Sequence, residues 1–385
     1  MSWEDELARR IPQIWKMKNI LSLFLLLWIS SGGKAFSQTN GKINEDNETV
    51  LRLEPGINNP RNSEGDFITL KDGRIMFIYS HFTGNAGGDN GKAYLAACYS
   101  DDQGKTWNKE ERQVVRQEGN MNVMSVSLLR LHNGEIALFY LRKNSMEDCV
   151  PTMRISRDEA KTWSDPVSCI PDRRGYFILN NNRVIQLKSG RLLMAVALHK
   201  ASGDDKWLNN AKLFSYYSDD NGHTWHSGKE VPDPGEVMMQ EPGVVELRNG
   251  SILMFIRTHS GFQYLSYSKD KGETWSTAER SNIKSPLSPA SITRIPATGD
   301  LLMLWNNNGA DQKRTPLNIA VSTDEGKTWS HIKTLEDDPD KMYCYTAIHF
   351  TGDHILLGYC AAGQSKWGML SETDIRRLNV GGIYK

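Results

Sequence analysis

Six stretches of this 385-residue chain carry charged or phenolic side chains against an otherwise apolar rhythm. NPRNSEGDF (59–67) holds Arg61, Glu64 and Asp66, and GGDNGKAYLAACYS (87–100) sets Asp89 in a glycine-rich loop. NNNRVIQL (180–187) contributes Arg183. MMQEPGVVELRNGSILMFIRTHSG (238–261) has Glu241 just before one apolar run and Arg257 at the end of the next. NNNGADQKRTPLNIAVS (306–322) offers Arg314, and KMYCYTAIHF (341–350) offers Tyr345. Guanidinium forks hold anions, while carboxylates and a phenol exchange protons. Gathered in one place, these groups would bind an acidic ligand and do acid–base work on it.

The elements that must gather them are hairpins. FITLKDGRIMFIYS (67–80), SLLRLHNGEIALFYL (127–141), RVIQLKSGRLLMAVAL (183–198), GVVELRNGSILMFIR (243–257), SITRIPATGDLLMLWN (291–306) and TAIHFTGDHILLGYC (346–360) share one design. Each reads as an apolar strand, a tight polar turn with glycine, and a second apolar strand. The turn glycines at 73, 134, 190, 250, 299 and 352 recur every roughly fifty to sixty residues, a spacing that marks a repeat architecture. Glu241 and Arg257 flank one such turn, so the hairpin returns them to the same rim. Arg61 and Tyr345 precede their own hairpins in the same sense.

A second phrase follows five of the hairpins: YSDDQGKTW (99–107), ISRDEAKTW (155–163), YSDDNGHTW (217–225), YSKDKGETW (267–275) and VSTDEGKTW (321–329). Its aspartate can accept N–H bonds within its own turn, glycine permits a positive φ, and tryptophan suits packing between sheets. Each copy has too few acidic residues for an oxygen cage around a cation. The phrase is therefore scaffold, and no metal is expected; where Ala160 replaces glycine, the turn should be strained or altered. Six units of about four strands, each unable to bury both faces alone, predict an all-β, six-bladed β-propeller. The strand ETVLRLEP (48–55) is placed to pair into the last unit and tie the ends together. Sustained helical periodicity is absent after the N-terminal segment.

Forty-six lysines and arginines balance 46 aspartates and glutamates, so no global field directs the chain to nucleic acid. Residues 1–37 have the order of a secretory signal, with lysines, an apolar run from Ile20 to Ile29 and a small-residue stretch near Ser37. That run is too short for a comfortable membrane span. The polar residues 1–16 ahead of it point to Met17 as the translation start. The expected organisation is then a signal over 1–37, a linker over 38–47 and a single monomeric propeller over 48–385, secreted or periplasmic. Cys98, Cys149, Cys169, Cys344 and Cys360 lack CxxC spacing and read mainly as buried apolar residues; their spacing leaves a Cys149–Cys169 bridge open. His81, His199 and His259 follow strand ends without metal-ligand spacing.

EPGVVELRNGSILMFIR, RTPLNIAVSTDEGKTW and YTAIHF resemble, in order and spacing, three units of the sialidase (neuraminidase) superfamily. In that family the repeated phrase is called an Asp box, and the similarity spans about residues 50–375. The resemblance implies a six-bladed propeller that removes terminal sialic acid, or a related 2-keto sugar acid, without a cofactor. Carried over, Arg61, Arg257 and Arg314 resemble the arginines that clamp the substrate carboxylate. Tyr345 resembles the nucleophile, Glu241 the carboxylate that takes its proton, and Asp89 the general acid/base. Asp66 competes with Asp89 for that last role. Arg61 stands in PRNSEG rather than the family's Arg-Ile-Pro, and Glu64 and Arg183 have no family role, which suggests a modified substrate pocket.

The chemistry is consistent with those roles. A carboxylate nucleophile would be repelled by an anionic sugar, whereas a neutral phenol is not, provided a base assists it. Asp89 must be protonated to release the leaving oxygen, so desolvation is expected to raise its pKa. Two other classes remain open: a propeller that binds acidic sugars without cleaving them, and a propeller lyase or hydrolase acting on another acidic glycan.

Overall fold

The computed structural model describes residues 41–42, 47–108, 111–235 and 237–385. The signal over 1–37 and the Met17 start lie outside these residues, as does most of the 38–47 linker. Among the described residues the fold is all-β apart from one short helix, Gly381–Tyr384, and no helix is long and apolar enough to cross a membrane.

Five open sheets contain the six predicted hairpins. The first unit is a four-stranded antiparallel meander from Asn62–Thr69 through Ile75–Phe82 and Ala93–Ser100 to Arg112–Val115. The second and third share a nine-stranded sheet, joined by a parallel bridge between Tyr176 and Cys149. The fourth runs from Met239–Glu246 to Glu279–Lys284, and the fifth from Ser291–Arg294 to Ser330–Glu336. In the sixth, Cys344–Thr351, His354–Cys360 and Thr373–Asn379 are completed by Glu48–Leu53, which joins the last unit as expected for 48–55 and pairs antiparallel to Thr373–Asn379. All six predicted turn glycines have positive φ, from 57° at Gly352 to 94° at Gly190.

Apolar side chains form clusters between successive units. Ile68, Met76 and Ile78 of the first pack with Leu128, Leu138 and Ala160 of the second. At the other end of the succession, Ala347, Leu356 and Ile375 of the sixth pack with Phe67, Phe77 and Trp107 of the first. The box turns are built as their composition requires. In the third copy Asp220 accepts bonds from Thr224 N at 2.8 Å and Thr224 Oγ1 at 2.6 Å, and Ser218 donates to it at 2.7 Å. Both carboxylate oxygens are thus used inside the turn. Ala160 adopts φ 61° and still donates its N–H to Ser156 Oγ at 2.9 Å, so that turn keeps its form in the left-handed region that a β-carbon disfavours.

One local device positions the chemistry. The first strands of four hairpins carry a bulge whose extra residue has a left-handed backbone: Glu64 at φ 54°, Ser125 at 61°, Glu241 at 44° and Tyr345 at 57°. A bulge interrupts the alternation of a strand and re-aims a side chain. Close packing follows it: a β-carbon at Gly65 would lie 2.3 Å from Phe77 Cζ, and one at Gly243 would lie 2.3 Å from Phe255 Cζ. The third hairpin departs from its expected outline. Its first strand is only Ile185–Gln186, and Asn180–Arg183 lie in the preceding gap, with Asn182 at φ 55°.

Candidate active site

Two groups of side chains gather near these bulges, close enough for Glu64 to feel the charge of Glu241 and Asp89 that of Arg314. In the first, Arg61 is buried immediately before its strand and its donors are engaged. Nε donates to Ser63 Oγ at 2.7 Å, Nη1 to Asp89 Oδ1 at 2.7 Å and to Gly87 O at 3.3 Å, and Nη2 to Glu64. The guanidinium also lies over Phe82, 4.6 Å from the ring centre. Glu64 accepts from Ser125, its counterpart in the next unit's bulge. Burial pushes the Glu64 carboxyl above its ordinary range despite Arg61 and Ser125.

In the second group, Arg257 Nη1 donates to Glu241 Oε2 at 2.5 Å and the phenol of Tyr345 to Glu241 Oε1 at 3.4 Å. The register sets Arg257 opposite Gln240, so the bulge brings Glu241 onto it. Arg314 holds its guanidinium carbon 5.6 Å from the centre of the Tyr345 ring. Its Nε donates to Leu287 O at 3.2 Å, and its Nη1 contacts Cys344 Sγ at 3.4 Å. Burial opposes ionisation of Glu241, but Arg257 and Arg314 hold its carboxyl below the usual range. Burial and the Glu241 charge raise the Tyr345 phenol well above its ordinary value, against Arg314 and Arg257. A carboxylate held ionised beside a phenol reluctant to ionise is the arrangement of a base and its proton donor.

Four sequence expectations need revision. Asp89 is not raised: desolvation opposes ionisation, but Arg61, Lys143 and Arg314 outweigh it and hold the carboxyl low. Its side chain remains 63% exposed. Asp66 is buried, accepting Phe67 N and Leu128 N at 2.7 Å and Asn182 Nδ2 at 2.8 Å, so it ties units together rather than standing open to a sugar. Arg183 is buried, 4% exposed, over the Phe255 ring and donating to Ala290 O. Burial lowers its pKa to about 10. Glu64 is a partner of Arg61 rather than a free ligand.

Several residues escaped the sequence reading. The asparagines before Arg183 bind across the fold: Asn180 donates to Glu241 at 3.2 Å, and Asn181 to Gly65 O and Tyr345 O at 2.9 Å each. Three successive asparagines in a gap between apolar runs were the available signal. Lys143 and Asn122 hold the Asp89 loop from the second unit, with no local pattern to announce them. All five cysteines are free and buried, and Cys344 pairs in register with Cys360 under Arg314. His199 bonds Leu208 O through Nδ1 at 2.9 Å and His259 accepts Met238 N at 3.1 Å, each serving local structure. Among the described residues no cluster of ligating side chains is suited to a metal ion.

The BNR repeat-like domain model matches residues 109–359, and the BNR/Asp-box repeat model matches 99–109. The chain belongs to this BNR repeat-like family, within the sialidase superfamily. Among curated relatives, a sialidase of Micromonospora viridifaciens is 30% identical over 212 residues, covering 50% of this chain and 31% of that protein. A sialidase of Bacteroides fragilis is 26% identical over 204 residues, covering 50% and 36%. The chain thus matches only about a third of the length of either. The solved leech intramolecular trans-sialidase superposes with a TM-score of 0.69 at 15% identity, covering 89% of this chain and 71% of that one, a likeness of fold.

Proposed function

We propose that the protein is a retaining exo-glycoside hydrolase that removes terminal sialic acid, or a related 2-keto sugar acid, from glycoconjugates. The observation that carries this reading is the Tyr345–Glu241–Arg257 chain, with a phenol 3.4 Å from a carboxylate that an arginine pins at 2.5 Å. Arg61, Arg257 and Arg314 grip the substrate carboxylate through charge-assisted bonds. Tyr345 yields its proton to Glu241 and attacks the anomeric carbon, while Asp89 gives a proton to the departing glycosidic oxygen. Water, its proton taken by the Asp89 carboxylate, then displaces the tyrosine, and Glu241 returns the phenolic proton. Two displacements restore the starting configuration.

The substrate carboxylate must share Arg61 with Asp89. It loosens the ion pair that keeps Asp89 charged, so substrate binding itself favours the protonated acid. The six units, with cores between successive units and between the last and the first, are read as a closed six-bladed ring around these residues. Residues 1–37 are read as an export signal and the working form as a monomer.

A propeller that only binds acidic sugars has no use for a base-assisted phenol, which favours catalysis over the binding alternative. Incubation with a fluorogenic α-sialoside tests the assignment: wild type should release the fluorophore and Tyr345→Phe should not. A wild type that binds sialic acid without turnover would make it a lectin. Inertness in both assays would direct the search to other acidic glycans.

A further inference from the structure

Lys143 is 1% exposed, yet its partners are not carboxylate oxygens. Its ammonium donates to the main-chain oxygen of Asp89 at 2.8 Å and to Asn90 Oδ1 at 3.3 Å, and lies 5.0 Å from the centre of the Tyr176 ring. Burying a lysine is costly unless its charge is employed. Opposite it in register, Asn122 donates through Nδ2 to the same Asp89 oxygen at 2.9 Å and to Gly91 O at 2.7 Å. Two neighbouring strand residues of the second unit therefore grip a glycine-rich loop of the first. That loop, GNAGGDNG, has little side-chain packing of its own, and glycine makes ordering it entropically expensive.

We propose that Lys143 is a positioning residue for Asp89: with Asn122 it clamps the loop main chain and keeps a positive charge behind the carboxylate. The inference rests on the acid/base role assigned to Asp89 above. The clamp grips the main chain and leaves the carboxylate free to exchange Arg61 for a substrate. The ionisable groups around Asp89 are Arg61 and Glu64 of the first unit, Lys143 and Cys149 of the second, Tyr176 of the third and Arg314 of the fifth. When a substrate carboxylate engages Arg61, Lys143 remains as a fixed cation. It stabilises the Asp89 carboxylate that forms on donating its proton to the leaving group.

The test compares Lys143→Gln, which keeps a hydrogen-bond donor without charge, and Asn122→Ala, which keeps the charge and removes half the clamp. The Asp89 carboxyl is followed by carbon NMR in aspartate-labelled full-length protein, assigned by its loss in Asp89→Asn, and loop amides by hydrogen exchange. In Lys143→Gln the Asp89 midpoint should rise and the alkaline limb of kcat/KM should follow it, with kcat falling about tenfold or more and KM changing little. In Asn122→Ala amide exchange across 87–91 should quicken about tenfold while the midpoint stays. A lower melting temperature with an unmoved midpoint in Lys143→Gln would leave Lys143 a merely structural lysine. Unchanged loop exchange in Asn122→Ala would overturn the clamp even if Lys143→Gln fails to fold. Should wild type cleave no sialoside, the hydrolase reading falls, while titration and exchange still judge Lys143.

Discussion

Glu241→Gln separates the two jobs that the proposed mechanism gives one carboxylate. Arg257 and Asn180 both donate to Oε2, whereas Tyr345 donates to Oε1. A glutamine will turn its oxygen toward the two nitrogen donors, which leaves its amide nitrogen facing the phenol. The hydrogen bond to Tyr345 is then reversed, and the tyrosine proton has no acceptor. Positioned general bases contribute about 10²–10⁴ in rate, equivalent to about 3–5 kcal/mol in the barrier. The expected result is a kcat loss of that size, measured with a fluorogenic α-sialoside. KM should hold or fall, because a negative charge has left a site that binds an anion. Since the Glu241 charge helps raise the phenol, its removal makes Tyr345 easier to ionise. Residual activity of the variant should therefore climb with pH. Glu241→Ala should add a fold defect of about 3–5 kcal/mol, because Arg257, buried and with Nε already unpartnered, loses its counter-charge. A Glu241→Gln enzyme within about tenfold of wild-type kcat, or a loss confined to KM, would refute the base assignment.

Three further outcomes follow from the same geometry. Arg61 helps hold the Asp89 carboxyl low, and in the proposed mechanism a substrate carboxylate competes for it, so the alkaline limb of kcat should lie at higher pH than that of kcat/KM; coincident limbs in a full pH–rate profile would contradict this. Asp66→Asn aims an amide N–H at N–H donors and should cost about 1–3 kcal/mol of stability, read as a lower melting temperature with unchanged kcat and KM. Burial carries Asp66 to about 7, so the folded state keeps a proton that the unfolded chain has lost. Its contribution is complete below about pH 4 and disappears as pH rises through about 7, a slope that calorimetry should find flattened in the variant. Asp220→Ala should reduce stability by about 1–2 kcal/mol without altering kinetics, and a chelator should alter neither, because the turn already uses both carboxylate oxygens.

The parts legible in the sequence were those governed by local rules. A tight turn needs its glycine, and a strand buried on both faces needs continuous apolar residues; the six hairpins and five box turns could be read for that reason. Pairing Glu241 with Arg257 needed only a hairpin's return. Asp89 was legible as a residue but not in its electrostatics, because Arg61, Lys143 and Arg314 reach it from three different units. Asp66 looked like Asp89 from its neighbours in sequence, and only the donors from Leu128 and Asn182 distinguish them.

The chain's own order of residue types thus determined the repeating strands, their turns and the kinds of side chain in the candidate site, since each depends on contacts within a few residues. Tertiary structure decided which way those side chains point and what charge surrounds them. Four bulges turn Glu64, Ser125, Glu241 and Tyr345 out of strand alternation, and a bulge exists only against a partner strand. Proton affinities depend on charges gathered from distant units, and no single segment contains them.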